Sequence, residues 1–139
     1  MSIMQKIIPI ALALFLPAIG FCADIAVIAN KGVGVKSLDN DQVKNIYFLD
    51  SKNIGSAKAV LFSIKEDGDA KNRFFAALGT SAEAIKKIWL KAKLTGSGDP
   101  PTSVSEDEIV QKVASTPGGI GFVSADKVTP GVIVLLVIK

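Results

Sequence analysis

The sequence predicts an α/β domain: a single mixed, partly parallel sheet with helices packed on it. Two observations carry this. Short apolar runs at 24–29, 58–64, 120–123 and 132–138 alternate with stretches whose apolar residues recur at helical spacing. Three of those stretches also open with the residue pattern of a capping box, so helices stand between strands and can bring some of them round in parallel.

The elements follow in order along the chain. Asp24-Ile25-Ala26-Val27-Ile28-Ala29, bounded by Asn30-Lys31-Gly32, reads as a buried strand. A helix follows in which Asp39 caps, Gln42 completes the box, Leu38 staples onto Val43, and Val43, Ile46 and Tyr47 form the apolar stripe. Lys52 to Ser56 reads as a polar loop, and Lys58 to Ile64 as the second strand. The acidic turn Glu66-Asp67-Gly68-Asp69 leads into a helix carrying Phe74, Phe75 and Leu78 and ended by Gly79. Thr80 with Glu83 signals the next helix, whose Ile85, Ile88, Trp89 and Ala92 share one face while Lys86, Lys87, Lys91 and Lys93 point largely away from it. Trp89 therefore reads as core. The loop Thr95-Gly96-Ser97-Gly98-Asp99-Pro100-Pro101 precedes a third box, Ser105 and Glu108, and a helix burying Ile109, Val110 and Val113. Thr116-Pro117-Gly118-Gly119 stops that helix, Ile120 to Val123 is a strand, and Val132 to Ile138 is the last.

Residues 1–23 read as a signal peptide. Lys6 precedes an apolar stretch, Ile7 to Phe21, that Pro9, Pro17 and Gly20 make too short and too broken for a permanent span of about 20 residues. Cleavage is expected after Ala23, with a cut after Cys22 as the alternative. Cys22 could in principle take a lipid, but Phe21 stands where that processing needs a small residue, so no anchor is expected there. The expected location is the periplasm. Residues 24–139 are near the commonest size for one domain and are read as a single one.

Composition narrows the chemistry. The chain has no histidine and its one cysteine is Cys22, so residues 24–139 hold no triad histidine, no thiol nucleophile and no ordinary zinc or copper site. No cofactor is expected and binding is favoured over catalysis; carboxylate pairs or a Ser/Lys dyad are the remaining catalytic options. The formal charge is +3, with Arg73 the single arginine and the lysines scattered, which argues against nucleic acid as a partner. The strongest binding candidate is the strand-to-helix turn from Lys65 to Asn72. Amides at a helix start attract anions, Gly68 allows close approach, and Lys65 and Lys71 flank the turn, although Asp67 and Asp69 bring negative charge to the same place. Gly96-Ser97-Gly98 and Gly118-Gly119 are weaker candidate cradles.

The order of these segments resembles the second lobe of the phosphate-type substrate-binding proteins of ABC transporters. The matching pieces are Ile25 to Asn30; Leu38 to Leu49, similar to a helix ending Ile-Phe/Tyr-Leu-Gly; Val60 to Phe75; Trp89 followed by Thr95-Gly96-Ser97-Gly98; and Val113 to Val123. Val113-Ala114-Ser115-Thr116-Pro117-Gly118-Gly119-Ile120-Gly121-Phe122-Val123 is similar to the family's Val-x-x-x-Pro-Gly-Ala-Ile-Gly-Tyr-Val. The resemblance implies one lobe of a type II periplasmic binding protein. It also implies that the family's phosphate-gripping arginine and Gly-Ser-Gly-Thr turn fall on Lys65, Gly68, Asp69, Ala70 and Lys71, where the cation and first glycine are kept and the hydroxyls are not. Asp50 stands where the helix-ending glycine is expected, and Ile54 lies near the place of a tryptophan. The expected ligand is phosphate or another small oxyanion, and the expected protein partners are an ABC transporter or envelope protein, or a second copy that supplies the missing lobe as a homodimer. The alternative is a degenerate single lobe acting as a protein-interaction module without a small ligand.

Overall fold

The computed structural model describes residues 24–139; the expected signal segment 1–23, with its cleavage site and Cys22, lies outside them. Ile25–Ala29 forms strand β1, and all five residues are buried. Five consecutive apolar residues suit a strand covered on both faces. Helix α1, Asn40–Tyr47, opens on the expected reciprocal cap: the Gln42 amide donates to Asp39 Oδ1 at 2.8 Å and the Asp39 amide to Gln42 Oε1 at 2.9 Å. The residue that takes the left-handed conformation after α1 is Leu49 (φ 65°), so Asp50 does not carry that turn.

The next segment holds more strand than the sequence suggested. Lys52–Ser56 was expected as loop, yet Asn53–Ile54 (β2) and Ala57–Lys58 (β3) pair as a short antiparallel hairpin that buries Ile54. Val60–Ile64 (β4) then leads through the acidic turn into helix α2, Asp69–Ala77, followed by helix α3, Ala82–Thr95. The α3 cap is Ser81, whose hydroxyl accepts from the Ala84 amide at 3.1 Å, rather than Thr80 one residue earlier.

Thr102–Val104 (β5) is a strand that the Pro100-Pro101 context concealed. At helix α4, Glu106–Ser115, Ser105 makes no capping bond to the backbone. Its hydroxyl contacts Glu108 Oε1 at 3.1 Å, while Glu66 Oε1, from the turn after β4, accepts from the Glu106 amide at 3.2 Å. Gly119–Ser124 (β6) and Ile133–Ile138 (β7) complete the fold.

The main sheet has the order β5-β4-β6-β1-β7. β4 runs parallel to β5 and β6, whereas β1 is antiparallel to both β6 and β7, so the sheet is mixed as expected. Two glycines of the 113–123 motif set how α4 meets it. Gly118 (φ 78°) has no room for a side chain, because a Cβ there would collide with the Lys58 carbonyl oxygen. A Cβ on Gly121 would lie 2.8 Å from Ile109 Cγ2, so this glycine lets α4 settle against β6. Asn30 ties the other end, donating through Nδ2 to the Val113 and Ala114 carbonyls at 3.1 and 3.0 Å.

Aromatic side chains fill the space between sheet and helices. Phe74 and Phe122 stack at 3.8 Å, and Tyr47 and Phe75 meet them edge-on. The polar ends of the larger rings are satisfied: Tyr47 Oη donates to the Phe62 carbonyl and Trp89 Nε1 to the Tyr47 carbonyl, both at 2.8 Å. Burial holds the Tyr47 phenol far above the usual tyrosine range. All of these core side chains come from residues between Ile25 and Leu135.

Candidate functional site

The parallel pairing of β4 with β5 fixes where the candidate turn emerges. The Lys65 amide still donates to the Val104 carbonyl at 2.7 Å, and the chain then leaves the sheet through Glu66 and Asp67 to Gly68, the residue before α2. Gly68 is extended and offers no side-chain cap. The amides of Asp69, Ala70 and Lys71 therefore donate to no protein group among the described residues. The space beside Gly68 is open, with nothing within 4 Å of a Cβ built there. Three unused donors at the positive end of a helix dipole make an anion-attracting surface.

The charges around it are arranged in pairs. Asp67 Oδ1 lies 3.4 Å from Lys71 Nζ and Asp69 Oδ2 lies 3.6 Å from Arg73 Nη1, each carboxylate facing a cation one helical turn on. Lys65 is exposed and makes no ion pair among the described residues. Lys71 behaves differently: it is only 5% exposed, and its ammonium turns back to the Lys65 carbonyl at 3.5 Å as well as to Asp67. The five residues singled out in the sequence, Lys65, Gly68, Asp69, Ala70 and Lys71, thus sit on one turn, with Lys65 exposed and the Lys71 side chain buried against the Lys65 carbonyl and Asp67. The i,i+4 spacing of Asp67 with Lys71 and Asp69 with Arg73 was visible in the sequence and was the available signal that both aspartates have partners.

Two cavities lie elsewhere. One of about 130 Å³ is formed where the loops after α1 and α3 approach β3 and β4, lined by Leu49, Ser51, Lys52, Lys58, Gly98 and Asp99. It places one of the weaker glycine candidates, Gly96-Ser97-Gly98, beside two lysines, of which Lys58 faces Asp99 at 3.8 Å. The other, about 370 Å³ and more open, lies between α4 and the segment after β6. At its edge the hydrogen bond from Lys127 at 2.6 Å, with the ammonium's charge, holds the Asp107 carboxyl below its usual range. Gly118-Gly119, the remaining candidate cradle, is buried and filled by the Lys58 carbonyl. Among the described residues no group of three or more acidic, histidine or cysteine side chains gathers as metal ligands, and no helix is long and apolar enough to cross a membrane.

No protein-family model matches the sequence, and no curated protein does. Solved structures match the fold. One is a putative phosphate ABC transporter substrate-binding protein from Clostridium perfringens with bound phosphate, with a TM-score of 0.63 and 24% identity over 81% of this chain and 44% of that one. Another is an ABC-type phosphate transport receptor from Vibrio cholerae, with a TM-score of 0.64 and 17% identity over 81% of this chain and 45% of that one. The chain therefore spans less than half the length of either protein. Its mixed five-stranded sheet with packed helices matches the fold of one part of each, and the two are described as a substrate-binding protein and a transport receptor.

Proposed function

We propose that this chain is an exported binding protein, not an enzyme, that takes phosphate or a similar small oxyanion at the start of α2. The observation that carries the reading is the set of unpartnered amides at Asp69, Ala70 and Lys71, on a turn with open space beside Gly68 and an exposed, unpaired Lys65. The ion pairs of Asp67 and Asp69 support it, because each neighbouring cation offsets part of the repulsion an incoming anion would meet. The likeness to a substrate-binding protein solved with phosphate supports it further. In this reading the amides and the Lys65 ammonium contact the oxyanion, and Lys71 acts from beneath the turn as a buried positive charge. One unit holds an anion from one side only, so a second copy, or an ABC transporter or envelope protein, closes the other side.

Calorimetry of residues 24–139 with phosphate and sulfate at low salt tests the proposal. Binding heat is expected that weakens as salt rises. Lys65→Glu should abolish it, whereas Asp69→Asn should strengthen it by removing a negative charge beside the ligand. Absence of heat with either anion, together with an unchanged melting temperature, refutes oxyanion capture. A second reading, an interaction module without a small ligand, draws on two features: the described cavities lie away from this turn, and the Lys71 ammonium is already occupied.

A further inference from the structure

The outward side of α3 is unlike the rest of the surface. Leu90 is 58% and Leu94 77% exposed, the two most exposed large apolar side chains among the described residues. Lys86, Lys87, Lys91 and Lys93 are all exposed on the same helix, and none makes a salt bridge or side-chain hydrogen bond among the described residues. At about 100° per residue, Leu90 and Leu94 form one ridge on the side opposite the buried Ile85, Trp89 and Ala92. The same geometry places Lys86 and Lys93 along one flank of that ridge and Lys87 and Lys91 along the other. Glu83, in the first turn, is the one acidic residue of the helix.

We propose that this face is a docking surface for an anionic phospholipid layer, with Leu90 and Leu94 entering the interface and the four lysines seated on the lipid phosphates. Two features favour lipid over a protein partner. The ridge holds none of the Trp, Tyr or Arg anchors in which protein interfaces are enriched, and it is flanked by lysine, in which they are depleted. Leucines flanked by lysines whose apolar stems can lie along the surface are what a helix parallel to a membrane needs. Because Ile85, Trp89 and Ala92 already fix α3 to the core, the helix is formed before it meets the surface and loses no folding entropy on docking. The inference does not depend on the proposed oxyanion site.

The test is co-sedimentation of residues 24–139 with phosphatidylcholine vesicles, with and without phosphatidylglycerol. Partitioning is expected only with the anionic lipid, falling as salt rises. Each lysine should contribute about five-fold, so changing all four to glutamine should lower partitioning by more than about 100-fold. Leu90→Ser with Leu94→Ser should lower it by about 10-fold or more at unchanged charge. All six side chains are exposed, so melting curves of these variants should match the parent and show that lost binding is not lost folding. No partitioning at low salt, or equal partitioning of parent and variants, overturns the proposal. Displacement by inorganic phosphate at constant ionic strength also overturns it, by assigning headgroup capture to the start of α2. Binding to polyglutamate but not to anionic vesicles overturns it in favour of an acidic protein.

Discussion

Replacing three glycines by alanine, one at a time, separates the two physical demands that the 113–123 motif places on the chain. Gly118 has φ 78° and would drive a Cβ into the Lys58 carbonyl, well inside the 3.0 Å that such atoms keep. Gly79 has a similar φ of 80° but nothing within 4 Å, so alanine there meets only the backbone penalty, about 1–2 kcal/mol. Gly68 is extended and open; alanine loses a little as a helix cap and gains a little by stiffening the unfolded chain, leaving stability within about 0.5 kcal/mol of the parent. At Gly118 the backbone penalty adds to about 1–3 kcal/mol of overpacking, for a total of about 2–5 kcal/mol. Urea unfolding of each variant reads the difference, since at a slope of about 2 kcal/mol/M the Gly118→Ala midpoint should fall by about 1 M or more. The Gly118 carbonyl also accepts the Val60 amide at 2.9 Å, so a shift there displaces the start of β4, the strand that delivers Lys65. Equal losses for Gly118→Ala and Gly79→Ala would refute the close approach to Lys58.

Two further outcomes concern the Tyr47 phenol and the Asn30 side chain. Tyr47 is the single tyrosine, so absorbance titration reads it alone; because burial holds its pKa above the unfolded value, the folded chain keeps the proton and loses stability as pH rises past the ordinary tyrosine range, and no phenolate signal should precede unfolding. Asn30→Ala removes both bonds to the end of α4 and should cost about 2 kcal/mol, seen as a drop in melting temperature of roughly 8 °C.

What the sequence disclosed was whatever depends on a local pattern. β1 was plain because five apolar residues in a row have few other uses, and the α1 cap because Asp39 and Gln42 satisfy each other without help. β5 was missed because Thr102–Val104 has little apolar content and is a strand only through its parallel pairing with β4, a contact across about forty residues. The cap of α4 differs too. Ser105 and Glu108 have the right spacing, but the Glu108 amide donates to the Ser105 carbonyl at 2.9 Å and the Ser105 hydroxyl bonds Glu108 Oε1. Glu66, brought alongside by the pairing of β5 with β4, reaches the Glu106 amide. Thr80 and Ser81 are adjacent and chemically similar as caps, and only the backbone path after Gly79 selects Ser81.

The candidate site divides along the same line. The strand-to-helix pattern marked the turn from Lys65 to Asn72, and the resemblance singled out Lys65, Gly68, Asp69, Ala70 and Lys71 on it, but neither gave the direction in which each lysine points. Lys71 is drawn inward because its apolar stem is covered by the core while its ammonium finds the Lys65 carbonyl and Asp67; Lys65 has no such partner and stays out. The result is a chain whose formal charge of +3 is unevenly available. At the start of α2 the aspartates are already facing cations, which leaves Lys65 and the amides as the attractive elements, a weak field suited to a small anion. On α3 four lysines face solvent against Glu83 alone. A rise in salt should therefore affect binding to an extended anionic surface at α3 more steeply than binding of a single small anion at α2, because the number of charges engaged sets the dependence. Comparable salt slopes for vesicles and for phosphate would mean that both ligands use the same few charges, and the division of the surface into two binding regions would fail.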